Sequence, residues 1–101
     1  MITIKNMHYE MPKETWQVRV DRETVLGNPY ILEEDSVRDE VILQYKEWLE
    51  NHIEAKTHEI MTELNRIKKL HDDLGNIELF CWCAPLSCHS EVIRDKILDM
   101  K

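Results

Sequence analysis

Residues 74–85, LGNIELFCWCAP, decide how the rest of the chain is read. Gly75 is placed to end a helix and Pro85 to end a strand; between them Ile77, Leu79 and Cys81 alternate with Glu78 and Phe80. Side chains of a strand point alternately to its two faces, so one face is wholly apolar and Phe80 fills part of the other. A strand covered on both faces sits inside a sheet, the usual situation of parallel strands.

Upstream of Gly75 the apolar period changes from two to about 3.6. Ile60, Leu64, Ile67 and Leu74, with Met61 and Leu70, form one helical stripe, and Val37, Val41, Tyr45, Trp48 and Leu49 form another. Ser36 and Asp39 have the spacing of a variant capping box for the first helix. Gly75 supplies the C-cap of the second, preceded by basic Arg66, Lys68 and Lys69. A single helix over 37–74 would be roughly 57 Å long, so a break is expected near residue 51, with Asn51 and Glu54 as a fresh cap. Further upstream, Trp16, Val18 and Val20 alternate with Gln17, Arg19 and Asp21, a strand that sends Arg19 and Asp21 to the same side. Ile2 and Ile4 suggest one more short strand. Downstream, Ser87 or Ser90 can cap a last helix bearing Val92, Ile93, Ile97, Leu98 and Met100.

The resulting expectation is a single α/β domain over residues 1–101, in two or three layers. It has a small, mostly parallel sheet, a two-helix crossover and a C-terminal helix. Ligands of such sheets lie beyond the C-terminal ends of the strands. Two loops leave those ends: LGNPY (26–30) and CWCAPLSCH (81–89). In the first, Gly27 can take a dihedral closed to other residues and Pro29 biases Asn28 away from helix. Asn28 offers a donor and an acceptor, and Tyr30 a flat face for a base or sugar.

The second loop holds all three cysteines, at 81, 83 and 88. An odd number confined to eight positions argues for reduced or metal-bound thiols over a disulfide framework. Three readings stand side by side. The thiols can be small buried packing groups, with His89 a satisfied core histidine at the edge of the last helix's apolar face. Cys81, Cys83, Cys88 and His89 can be a tetrahedral zinc set, although adjacent helical side chains such as Cys88 and His89 diverge by about 100°. Finally, backbone N–H groups at a helix start favour a thiolate or an anion, which makes Cys88 a candidate nucleophile and His89 its candidate proton carrier. The spacing from Cys88 to Arg94 also fits a cysteine, five residues, arginine phosphate cradle, but HSEVI has no glycine and Glu91 would face the anion.

Composition narrows the classes. Thirteen Lys and Arg stand against 20 Asp and Glu, net −7, with acidic residues in excess in both halves. No direct nucleic-acid binding is expected from that balance. The N-terminal MITIKNMHYE has no apolar run suited to a signal peptide, and no stretch suits a membrane span; a cytoplasmic protein is expected. Glycine-rich phosphate loops, HExxH and calcium-loop patterns are absent.

VRVDRETVLGNPY, RDEVILQYKEWL and LFCWCAPLSCHSEVI together resemble the domain-of-unknown-function family 4326 (DUF4326), small phage and bacterial proteins and domains. The resemblance runs from about Val18 to Ile97. Its pattern falls on Arg19, Gly27, Asn28, Pro29, Tyr30, Arg38, Tyr45, Trp48, Cys81, Trp82, Cys83, Pro85, Cys88 and His89. Tyr30 replaces a usual phenylalanine and Ser90 a common glycine. The resemblance implies family membership and, for a phage-encoded member, the host cytoplasm. It carries over no reaction.

The leading expectation is a nucleotide-like small ligand held by Asn28, Tyr30 and Cys83 with Arg19 or Arg38 on its phosphate, and Cys88 and His89 adjacent for any chemistry. The alternatives are a regulatory module whose acidic helices dock on a host protein or a second copy, and a structural zinc domain.

Overall fold

The computed structural model describes residues 1–29, 37–82 and 88–100, and within them the elements run β1 (Ile2–Asn6), β2 (Gln17–Arg19), α1 (Arg38–Ala55), α2 (His58–Leu74), β3 (Ile77–Cys81) and α3 (His89–Asp99). β3 is the middle strand of a sheet ordered β1-β3-β2, parallel to both neighbours. The register sets Ile2 against Ile77 and Ile4 against Leu79, with Val18 opposite Leu79 from the other side. Those residues share one face. The buried stripes of all three helices, Tyr45 and Leu49, Ile60, Leu64 and Ile67, and Val92, Ile93 and Ile97, join that face in one apolar cluster. The helices therefore lie on one side of the sheet, a two-layer arrangement, and α1 and α2 form the expected crossover from β2 to β3.

The opposite face is mixed. Phe80 is fully buried there between Lys5 and Arg19 in register, while Gln17 Nε2 donates to Glu78 Oε1 at 2.9 Å and Lys5 Nζ lies 3.8 Å from Glu78 Oε2. The apolar filling of IELFC on both faces thus reads as an internal strand, as its sequence suggested.

Several local details differ from the sequence reading. The interhelical break falls at Lys56, not near residue 51, because the chain closes a Schellman motif there. Lys56 takes the left-handed conformation (φ 56°), its N–H donates to the Ile53 carbonyl, and the Thr57 N–H donates to that of His52. A 2.7 Å bond between His52 Nδ1 and Thr57 Oγ1 seals the corner; Asn51 stays inside α1. At the start of α1 the N-cap position is Val37, without a side-chain cap, and Ser36 lies outside the described residues. Gly75 ends α2 as expected, with φ 81°. In contrast, α3 is capped at Cys88, and Ser90 lies inside the helix. Trp16 has the parity of Val18 and Val20 but sits before the first paired residue and stays exposed.

Candidate functional site

Because both pairings are parallel, all three strands end at one edge, and α3 starts there. The ladders run one residue past the strands: the Met7 N–H donates to the Cys81 carbonyl at 2.8 Å and the Val20 N–H to that of Phe80 at 3.0 Å. Each strand then contributes a polar exit. Asn6 is the last residue of β1; its Nδ2 donates to the Trp82 carbonyl at 3.3 Å and its Oδ1 accepts the His8 N–H at 2.8 Å. The His8 ring meets Trp82 edge-on, with centroids 4.9 Å apart.

Asp21, leaving β2, is the hub of this edge. The residue is only 5 % exposed, yet its carboxylate accepts three hydrogen bonds: Arg19 Nε to Oδ1 at 2.7 Å, Arg19 Nη2 to Oδ2 at 2.8 Å, and Trp82 Nε1 to Oδ2 at 2.9 Å. Burial works to raise its pKa, but the bonds from Arg19 and Trp82 and the guanidinium charge outweigh it, leaving Asp21 below the usual carboxylate range. The pairing with Asp21 in turn raises the Arg19 pKa. The loop behind Asp21 is tied by Thr24, whose N–H and Oγ1 both donate to the Asp21 carbonyl at 2.9 Å. Gly27 closes this loop. A Cβ there would stand 2.5 Å from Arg22 Cα and from the Asp21 carbonyl oxygen, so close backbone approach, without a left-handed φ, is what requires glycine here.

The start of α3 faces the same strand exit. His89 is buried, and its Nε2 lies 2.6 Å from the Val20 carbonyl oxygen. A carbonyl only accepts, so Nε2 carries the proton. Burial lowers the His89 pKa despite that bond, which favours the neutral ring. Tyr45 bridges the two loops: its hydroxyl donates to the Leu26 carbonyl at 2.6 Å, and its ring centroid is 5.1 Å from that of His89. Burial, aided by the Cys88 charge, pushes the Tyr45 pKa up, which keeps the phenol a donor. Cys88 is 4 % exposed and its Sγ lies 3.3 Å from Sγ of the fully buried Cys81.

Of the residues singled out from sequence, Arg19 stands at this edge with its side chain 39 % exposed. Asn28 is half buried in the β2 exit loop, and Arg38, half buried, opens α1. Tyr30 and Cys83 lie outside the described residues. Of the zinc set, Cys81 and Cys88 adjoin while His89 spends its Nε2 on Val20, and among the described residues no three His, Cys, Asp or Glu side chains are placed to hold a metal ion. The alternation of the sequence put Arg19 and Asp21 on one side but did not name Asp21 as the acceptor of the Trp82 indole, and Asn6 and His8 were not among the residues singled out. Their signal was the strand Ile2–Asn6, since residues at or just beyond the C-terminal end of a parallel strand share this edge.

The family model "Domain of unknown function (DUF4326)" matches residues 3–99, nearly the whole chain. The chain belongs to that family. No curated protein and no solved structure is matched. In this DUF4326 chain no helix among the described residues is long and apolar enough to cross a membrane.

Proposed function

We propose that this DUF4326 protein binds a small nucleotide-like ligand, one aromatic ring and one anionic group, at the C-terminal edge of its sheet. One observation carries the reading: the buried carboxylate of Asp21 orients both an arginine and a tryptophan that remain open to solvent. Trp82 is 43 % exposed, its ring fixed by the Nε1 bond to Asp21 and the edge contact with His8. A fixed, half-open indole is a stacking surface whose side-chain entropy is already spent before binding. Arg19 uses two of its five N–H groups on Asp21 and keeps three for a phosphate or carboxylate. Location at the strand ends of a parallel sheet supports the same reading. The net charge of −7 disfavours a polyanion but not a small anion met by a local guanidinium.

The nearly buried Cys88 and the committed Nε2 of His89 favour binding over nucleophilic catalysis in this conformation. The test uses isothermal titration and tryptophan fluorescence with nucleoside monophosphates, the matching nucleosides and inorganic phosphate. Arg19→Gln is expected to weaken the monophosphates about tenfold, near 1.4 kcal/mol, and to spare the nucleosides; Trp82→Leu is expected to weaken both. Absence of binding by the wild-type chain at millimolar concentrations, or wild-type affinity in both variants, rejects the proposal.

A further inference from the structure

We propose that Cys81 and Cys88 are a reversible dithiol–disulfide couple, oxidised by a small peroxide, that locks the end of β3 to the start of α3. The two sulfurs stand 3.3 Å apart, and both residues are thiols rather than halves of a disulfide. A disulfide spans about 2.05 Å, so closure requires an approach of only about 1.3 Å. The partners come from different elements: Cys81 is the last residue of β3 and Cys88 the N-cap of α3. Packing alone is satisfied by any small apolar side chain; sulfur facing sulfur across two elements is what a thiol couple requires.

The position gives the couple a consequence. The residue after Cys81 is Trp82, bonded to Asp21, and the residue after Cys88 is His89, bonded to Val20. A bridge between the cysteines therefore clamps the two elements that hold the exit of β2. Burial sets the class of oxidant. Cys81 is 0 % and Cys88 4 % exposed, which admits a peroxide far better than a bulky disulfide. Cys88 reacts first, being the more accessible and lying at the start of a helix, where backbone N–H groups favour the thiolate. Its thiolate attacks one peroxide oxygen, the O–O bond breaks, and Cys88 sulfenic acid and hydroxide form. Sγ of Cys81 then attacks the Cys88 sulfur, the S–O bond breaks, and water leaves with the Cys81 proton as the S–S bond forms. Peroxide is reduced by two electrons and the two thiols are oxidised by two. A dithiol reductant reverses the reaction by exchange.

This inference stands apart from ligand binding. The experiment treats the reduced full-length chain with equimolar hydrogen peroxide under native conditions. Titratable thiols are expected to fall from the three of the sequence to one, the intact mass to drop by about 2 Da, and peptide mapping to join 81 to 88. Dithiothreitol is expected to restore all three. Cys83→Ser, which leaves both partners in place, is expected to keep the mass loss, and Cys88→Ser to abolish it. Three thiols surviving in the wild type, a bridge that includes Cys83, or only the oxygen additions of sulfinic and sulfonic acids overturns the proposal.

Discussion

The two ends of the sheet are built from different materials. At the C-terminal edge lie Asp21, His89 and Ser90, the only buried polar or charged side chains among the described residues. The N-terminal edge has plain backbone pairing, Ile77 N–H to the Met1 carbonyl at 3.1 Å and Glu78 N–H to that of Trp16 at 2.9 Å. Exposed Met1, Trp16 and Leu74 line a cavity of about 470 Å³ there. The N-terminal edge adds one buried polar atom, His71 Nδ1, near the Met1 amine; buried polar groups cost stability unless hydrogen-bonded, and stability alone gives no reason to set three such residues at the other end. Their concentration where parallel sheets bind ligands is the contrast on which the proposed binding site rests.

Each edge has a glycine, and exchanging both for alanine tests the contrast most strongly. At Gly27, in the β2 exit loop, a Cβ meets backbone atoms at 2.5 Å. Backbone cannot move aside as a side-chain tip can, so Gly27→Ala is expected to destabilise by about 3 kcal/mol, the upper end for overpacking. Gly75 precedes β3 at the opposite edge; its φ is +81° but nothing lies within 4 Å of an added Cβ. Gly75→Ala is expected to cost about 1 kcal/mol, the left-handed backbone penalty alone. Urea unfolding of both variants measures the difference, and equal losses would remove the argument that the β2 exit loop is the tighter of the two.

The C-terminal edge also predicts how stability depends on pH. His89 has a folded pKa lowered from 6.5 by burial. The unfolded chain therefore takes up a proton first as pH falls through about 6.5, and stability declines from there until the folded ring also protonates. Asp21 is lowered from 3.8; its contribution is full above that value and is lost as pH falls through the lower folded pKa. Two successive declines are expected in denaturant midpoints measured from pH 8 to pH 3. His89→Gln should remove the first and Asp21→Asn the second. A profile unchanged by His89→Gln would show that the ring is not held neutral against Val20.

How much of this was legible follows the same division. The internal strand IELFC, the helical stripes and the Gly75 stop depend on periodicity and local backbone preference, which one sequence states directly. The break at Lys56 was not legible, because a left-handed lysine is selected by the closing bonds to His52 and Ile53 and not by its own propensity. At the site, alternation placed Arg19 and Asp21 on one side, and their ion pair follows. That Trp82 and Asn6 complete the cluster depends on the register of β1 and β2 against β3, a long-range property with no local signature. Gly27 was legible as a special position, but its reason, contact with Asp21 and Arg22, required the loop to be closed.

Ser90 offers the smallest and most selective test of the two-edge picture. It is fully buried in the first turn of α3, and its Oγ has no hydrogen-bond partner among the described residues. An unsatisfied buried hydroxyl is a net loss, and Ser90→Ala, which keeps the Cβ and improves helix propensity, is expected to raise stability by about 1 kcal/mol. Thermal denaturation of the wild type and the variant reads the change. A destabilised alanine variant would mean that the hydroxyl is satisfied in solution, and the C-terminal edge would then hold one fewer polar group whose burial stability alone does not explain.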